Sequence, residues 1–416
     1  MTRVNDSSAS SNRPGGGAPR PNDAAAAAVP PAPRVRHLPQ WLGPFFGLIA
    51  VYVLFCALCG LQGTDAFFRF YNTKTILTQT VIIGIGALGM TLIIVSGAID
   101  LSVGSVIALV TVVVALVLRR AGLAVGSVSL AGIVSLLVVS VVCWLPARRF
   151  GSRGARMVRA FSPPLASLAF LLLAVVLACR TLPDALLPVA AVVLGVATAS
   201  CCGWVSGLVI TQMRIVSFIA TLGMMQVARG LAKWLANNQT VVPPPTWINS
   251  LMMVDPTPAW LVFAPGIWLM LILLVVLHVL LTRTVFGRHV YAVGSSEPTA
   301  RLCGVDVARC RILIFALASA FVGIGGVMQF ANLTVGDPTA AVGMELDIIA
   351  AVVIGGGSLN GGEGSAFGTL IGALIMAILR NGCNMLGVPN YTQNIIVGSV
   401  IIGAAGIDSI KHRLRK

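Results

Sequence analysis

The chain has 416 residues, 57% of them apolar and 10% charged, with a mean hydropathy of +0.94. Soluble domains carry about a quarter charged residues, so this composition excludes one and leaves room for about ten to fourteen membrane-spanning helices of roughly 20 residues each. The net charge of +15 sits in short basic clusters between apolar stretches, as in loops on one side of a membrane rather than on a nucleic-acid surface, and a barrel of short alternating strands is excluded with it.

Residues 1–42 are polar and rich in Pro, Ala and Gly, with no secretory signal, and read as a disordered cytoplasmic tail. Stretches free of Asp, Glu, Lys and Arg follow at 37–64, 75–99, 101–118, 121–147, 160–179, 185–213, 256–282, 312–336 and 381–407. Each is near the length of a crossing helix. Three shorter ones, at 215–228, 348–362 and 364–379, are Gly-rich or flanked by charge and read as helices that are broken or line a polar interior. The count is twelve crossings, with ten as the alternative. Arg34 and Arg36, the cluster Arg148 to Arg159, the loop Arg283 to Arg311, and the tail Lys411 to Lys416 place these segments and both termini in the cytoplasm. Asp65, Asp184 and Asp255 mark the opposite side, whereas Arg119 and Arg120 depart from the pattern. The run Val241 to Pro258 holds too many prolines for regular helix and reads as an outward loop.

Catalytic chemistry is missing from the pattern. None of the four lysines follows a glycine, so there is no phosphate-binding P-loop. The four histidines are scattered and form no metal-ligand spacing. Most of the nine cysteines lie in apolar stretches, where Cys acts as a small hydrophobe.

Three regions carry more. In Gly89 to Gly104 (GMTLIIVSGAIDLSVG), Ser96, Gly97, Asp100, Ser102 and Gly104 predict an interrupted helix near the membrane face, with Asp100 as a candidate N-cap of the next helix. In Met344 to Gly364, Glu345 and Asp347 open a short apolar run, favourable to the dipole of a half-helix, and Gly355, Gly356 and Gly357 close it. Between them, Val285 to Arg311 is a basic, amphipathic loop with a short helix expected from Pro298 and ending near Gly304. On composition alone Asp100, Glu345 and Asp347 would also suit a proton-coupled carrier.

Together these regions resemble the permease subunit of bacterial sugar-uptake ABC transporters, the ribose/xylose/galactose type. The similarity covers roughly 70–118 and 195–410, through VSGAIDLSVGS, RIVSFIATLGMMQVARGL, FGRHVYAVGSSEPTARLCGVDVAR, ELDIIAAVVIGGGSLNGGEGS and LRNGCNMLGVPNYTQNIIVGSVII. The resemblance implies an all-α, polytopic transmembrane helical bundle of about ten core helices (43–410) in the inner membrane, with a basic cytoplasmic C-terminus (411–416). It implies a second permease copy, as homodimer or heterodimer, a cytoplasmic ABC ATPase that holds ATP and Mg, and a periplasmic sugar-binding protein. No cofactor is expected on this chain. By the same likeness 285–311 is the coupling loop, with Gly294, Glu297, Ala300, Arg301, Leu302 and Gly304 matching the family, although Pro298 stands where a charged residue is common. Translocation or gating candidates are Ser96, Asp100, Ser102, Gly104, Glu345, Asp347, Gly355, Gly356, Gly357 and Asn381. Residues 121–180 lack a counterpart and read as an inserted helical pair, peripheral to the pathway, whose removal takes twelve crossings to ten. The implied substrate is a monosaccharide; a branched-chain amino acid or autoinducer-2 are alternatives within the same class.

Overall fold

The structure is a computed structural model that describes residues 42–61, 65–119, 183–256 and 260–414. The tail 1–41 and the inserted stretch 121–180 lie outside the described residues. The helices are α1 (Leu42–Leu61), α2 (Phe70–Val95), α3 (Val103–Leu118), α4 (Leu187–Met213), α5 (Ser217–Leu235) and α6 (Pro265–Arg283). They continue as α7 (Val285–Ser295), α8 (Glu297–Leu302), α9 (Val307–Leu333), α10 (Met344–Ile354), α11 (Ala366–Met385) and α12 (Asn390–Leu414). Among the described residues the only extended pairing is an isolated antiparallel bridge, Val241 to Gly336. The bundle is all-α.

Six helices, α1, α2, α4, α6, α9 and α11, are long and apolar enough to cross a bilayer. α3 and α10 are not. With 16 and 11 residues they rise about 24 and 17 Å, short of a hydrocarbon core about 30 Å thick.

Small residues set the helix directions. Gly195 lies against Val114 of α3 and Val327 of α9, Gly203 against the Phe315 carbonyl and Ser319, and Gly207 against Ile312, so α4 runs antiparallel to α9 along most of its length. Gly326 lies against Ile107 and Val110, and Gly336 against Thr111 and Ala115, so α3 runs with α9. Gly86 packs on Ile348, which sets α2 against α10, and Gly89 on the Ala318 carbonyl, which sets it against α9, while Gly372 on the Ala351 carbonyl sets α10 against α11. Among the described residues the result is ten alternating segments: α1, α3, α5, α9 and α11 point away from the end where α7 and α8 lie (the loop end), and α2, α4, α6, α10 and α12 point back towards it. This is the ten-helix core. Apolar helices in lipid gain little from hydrophobic contact with each other, so close backbone approach at glycine supplies the packing.

Of the two readings offered for the shorter stretches, a broken helix is excluded at 215–228 and 364–379, which lie almost wholly in the continuous helices α5 and α11. In α11 the glycines serve contact, with Gly368 against the Gly355 carbonyl and Gly372 against that of Ala351, and the helix keeps its backbone bonds internal. Only 348–362 is interrupted, where α10 ends at Ile354. The described part of the Pro-rich stretch, 241–256, is non-helical apart from a 3-10 turn at Trp247–Met252, as its prolines require.

The far end is cross-braced. Lys74 pairs with Asp255 at 2.9 Å, Val241 and Gly336 exchange two backbone bonds, and Arg229 of α5 donates to the carbonyls of Pro338 and Ala340 at 3.1 and 2.8 Å.

Gly203→Val should lower thermal stability in detergent by an amount equivalent to about 1–3 kcal/mol, because the added methyls meet backbone. Gly60→Ala, where a Cβ meets nothing within 4 Å, should leave the melting temperature unchanged or slightly raised.

Candidate translocation and coupling site

The first break follows α2. Ser96, Gly97 and Ala98 donate backwards to Leu92, Ile93 and Ile94, Gly97 takes a φ of +76°, and the Ser96 hydroxyl donates to the Ile93 carbonyl at 2.7 Å. The chain then runs without helix from Ala98 to Ser102. Asp100, 1% exposed, accepts from both the backbone N–H and the hydroxyl of Ser102, at 2.8 and 2.6 Å. It is therefore not the N-cap. Ser102 holds that position, and Asp100 folds a local turn two residues ahead of α3. Sequence reasoning missed the side chains that hold this segment laterally. Ile99 N–H donates to the Ser217 hydroxyl at 3.4 Å and Leu101 N–H to the Thr221 hydroxyl at 3.2 Å, both from α5. Their four-residue spacing in RIVSFIATLG is the signal that would have shown one polar helix face.

The second break is the chain from Thr334 to Gly343. Thr334, Ala341 and Gly343 all take left-handed backbone, and Arg229 pins the stretch through the two carbonyls named above. Glu345 and Asp347 open α10 as expected. Glu345 Oε1 accepts from Gly343 N–H at 3.3 Å, and its Oε2 lies against Gly104 in the first turn of α3. Asp347 is buried and paired with Arg380 of α11. Next to that arginine, Asn381 is 5% exposed. Gly355, Gly356 and Gly357 close α10 by donating back to Ala351, Val353 and Val352 at 2.9–3.0 Å, with Gly356 left-handed.

The basic loop turns sharply at Thr284, whose hydroxyl accepts from Gly287 N–H at 3.1 Å. α8 starts at Glu297, and Gly304, at φ +82°, ends it with an N–H bond to the Arg301 carbonyl. Glu297 binds Arg301 at 2.6 Å and Arg311 at 2.9 Å. The Arg301 hydrogen bond, with help from Arg311, outweighs partial burial and holds the Glu297 carboxyl below the usual carboxylate range. Of the six coupling candidates, Ala300 is buried, Gly294 is packed into the interior, and Leu302 is 89% exposed. A Cβ at Gly304 would meet nothing, so its glycine is required by backbone conformation alone.

The loop, the end of α2 and the glycine loop after α10 meet. Gly362 N–H donates to the Val95 carbonyl at 2.8 Å, and Gly294 lies against both. Ser96, Ser102, Gly104, Glu345 and the three glycines after α10 thus belong to two interrupted helices held side by side. Asp347 and Asn381 lie on the α10 and α11 side of that pair.

Residues 160–405 match the family described as branched-chain amino acid transport system / permease component. The ribose import permease protein RbsC of Escherichia coli is 33% identical over 380 residues, covering 89% of this chain and 95% of that protein. RbsC of Bacillus subtilis is 31% identical, over 89% and 94% of the two chains. The chain belongs to this permease family. The L-arabinose ABC transporter permease protein AraH of Azospirillum brasilense is 36% identical over 223 residues, 53% of this chain and 64% of that one. No solved structure matches. The permease is accordingly a multi-pass membrane protein, and both of its interrupted helices carry stretches through which it resembles the sugar type.

Two outcomes are expected. Asp347→Ala strands Arg380 and should destabilise the permease by about 3 kcal/mol, the low end for a buried pair, because Arg380 stays a third exposed. Asp347→Leu with Arg380→Met should recover most of the melting temperature. Because the Glu297 carboxyl is held low, its contribution is present above the ordinary Glu range near pH 4.3 and is lost as pH falls through the depressed value. Amide exchange at Thr299–Leu302 should therefore rise only on strong acidification in the wild type, and already at pH 7 in Glu297→Ala.

Proposed function

We propose that this permease is the membrane-spanning subunit of an ATP-driven importer of a monosaccharide. A cytoplasmic ABC ATPase binds and hydrolyses ATP with Mg, a periplasmic binding protein delivers the sugar, and two permease copies enclose the path. The observation that carries the reading is the seating of α7 and α8: α8 presents Leu302 and Arg301 outward, while Tyr291 and Gly294 of α7 rest on the end of α2 and on the glycine loop after α10. A unit so placed receives a push from a soluble partner and passes it to the interrupted helices. The names of the relatives, ribose and L-arabinose permeases, point to a pentose.

Arg283, Arg288, Arg301, Arg309 and Arg311 gather at the loop end, which supports placing it, and both termini, in the cytoplasm of the inner membrane. α5 exposes Gly223, Gln226, Gly230 and Lys233 along one side. Lipid disfavours such a face, so we orient it towards the second copy and the path.

Gentle extraction of the tagged permease followed by mass spectrometry should recover an ABC ATPase in near-stoichiometric amount. Uptake of labelled ribose or arabinose by cells expressing it should collapse on ATP depletion and survive dissipation of the proton gradient. A permease that purifies alone and moves solute in vesicles on a proton gradient without ATP would overturn the reading in favour of a secondary carrier.

A further inference from the structure

The junction between the loop and the breaks is built almost entirely of backbone. At the end of α2 the carbonyls of Leu92, Ile93 and Ile94 are taken by the turn at Ser96–Ala98, and that of Val95 is taken by Gly362 N–H. Gly294, the penultimate residue of α7, lies so close to that bond that a Cβ would collide with both of its partners. A Cβ on Gly361 would fall 2.8 Å from the Gly294 carbonyl oxygen and 2.8 Å from Gly97 Cα, and one on Gly362 would fall 3.1 Å from Ser295 Cα. One helical turn earlier on α7, the half-buried Tyr291 donates its hydroxyl to the Gly364 carbonyl at 2.7 Å. α7 therefore holds the glycine loop at two points, one by close approach and one by a hydrogen bond.

The loop in turn has little slack. It is continuous with α10, and Gly355 and Gly368 face one another so closely that a side chain on either would strike the other's backbone. Flexible side chains absorb displacement by changing rotamer; only the short Ser295 hydroxyl and the hydrogen-bonded Tyr291 ring stand between α7 and this loop, and at Gly294 the contact is backbone on backbone. We infer that Tyr291 and Gly294 are the positioning residues that convert movement of α7 and α8 into movement of the 355–364 loop and α10. This inference rests on the reading of α7 and α8 as the ATPase-driven unit. Neither residue touches the solute. Tyr291 was not among the expected coupling residues, and Gly294 acts on the inner side of the loop rather than on a docking face.

The test is the number of ATP molecules hydrolysed per sugar transported, in vesicles holding the permease with its co-purified ATPase and binding protein. Tyr291→Phe keeps the ring and loses only the bond to Gly364, and Gly294→Ala forces α7 off the Val95–Gly362 bond. Each should raise the ratio at least fivefold while ATP hydrolysis stays within twofold of wild type. A ratio unchanged in both variants, or hydrolysis and uptake falling together in proportion to folded protein, would overturn the inference. Should Gly294→Ala fail to insert, Tyr291→Phe decides alone. A wild-type complex that hydrolyses no ATP would instead sink the proposed function, so the two failures are distinct.

Discussion

Two helices of this bundle stop short within the fold, and every carbonyl and amide they leave bare needs a partner supplied by protein, because lipid offers none. Much of the architecture around α3 and α10 answers that requirement. The end of α2 closes on itself at Gly97 and hands its remaining carbonyl to Gly362. The extended stretch before α3 is met by two hydroxyls of α5, and the chain before α10 by the guanidinium of Arg229. Glycine recurs where α2, α7 and the 355–364 loop meet because the partners there are backbone groups, and backbone groups approach each other most closely where a Cβ is missing.

Charge inside the bundle follows the same demand. Asp100 is occupied by Ser102, Asp347 by Arg380, and Glu345 accepts from the amide of Gly343. Each of the three acids that composition alone would offer to a proton-coupled carrier has a local structural task at a helix start or break. Their positions suit holding interrupted helices in place, which is what a permease with two half-helices needs.

Much of this was legible in the residues. Gly-Gly-Gly after an eleven-residue apolar run, with acids at its head, describes a half-helix that starts against its dipole and stops on a tight turn, and α10 is that element. The Pro and Gly of the basic loop likewise bracket α8. Elsewhere local pattern was ambiguous. Glycines in α11 looked like breaks because a glycine that admits a neighbouring helix and one that turns the chain are identical in sequence; only the opposing Ala351 and Gly355 carbonyls tell them apart. Asp100 fits an N-cap by type, but its distance from the first helical residue depends on where the extended stretch ends. Ser217, Thr221, Tyr291 and Arg229 act on chain more than seventy residues away, and a single sequence carries no record of such pairings.

The braces at the far end differ in kind from the contacts at the loop end. Lys74 with Asp255, the Val241–Gly336 bridge and the Arg229 clamp tie loops to helices by charge and paired amides. Stiffness thus has a different source at each end of the bundle axis: a trussed rim of charge and paired amides stands opposite a seam of close-packed peptide.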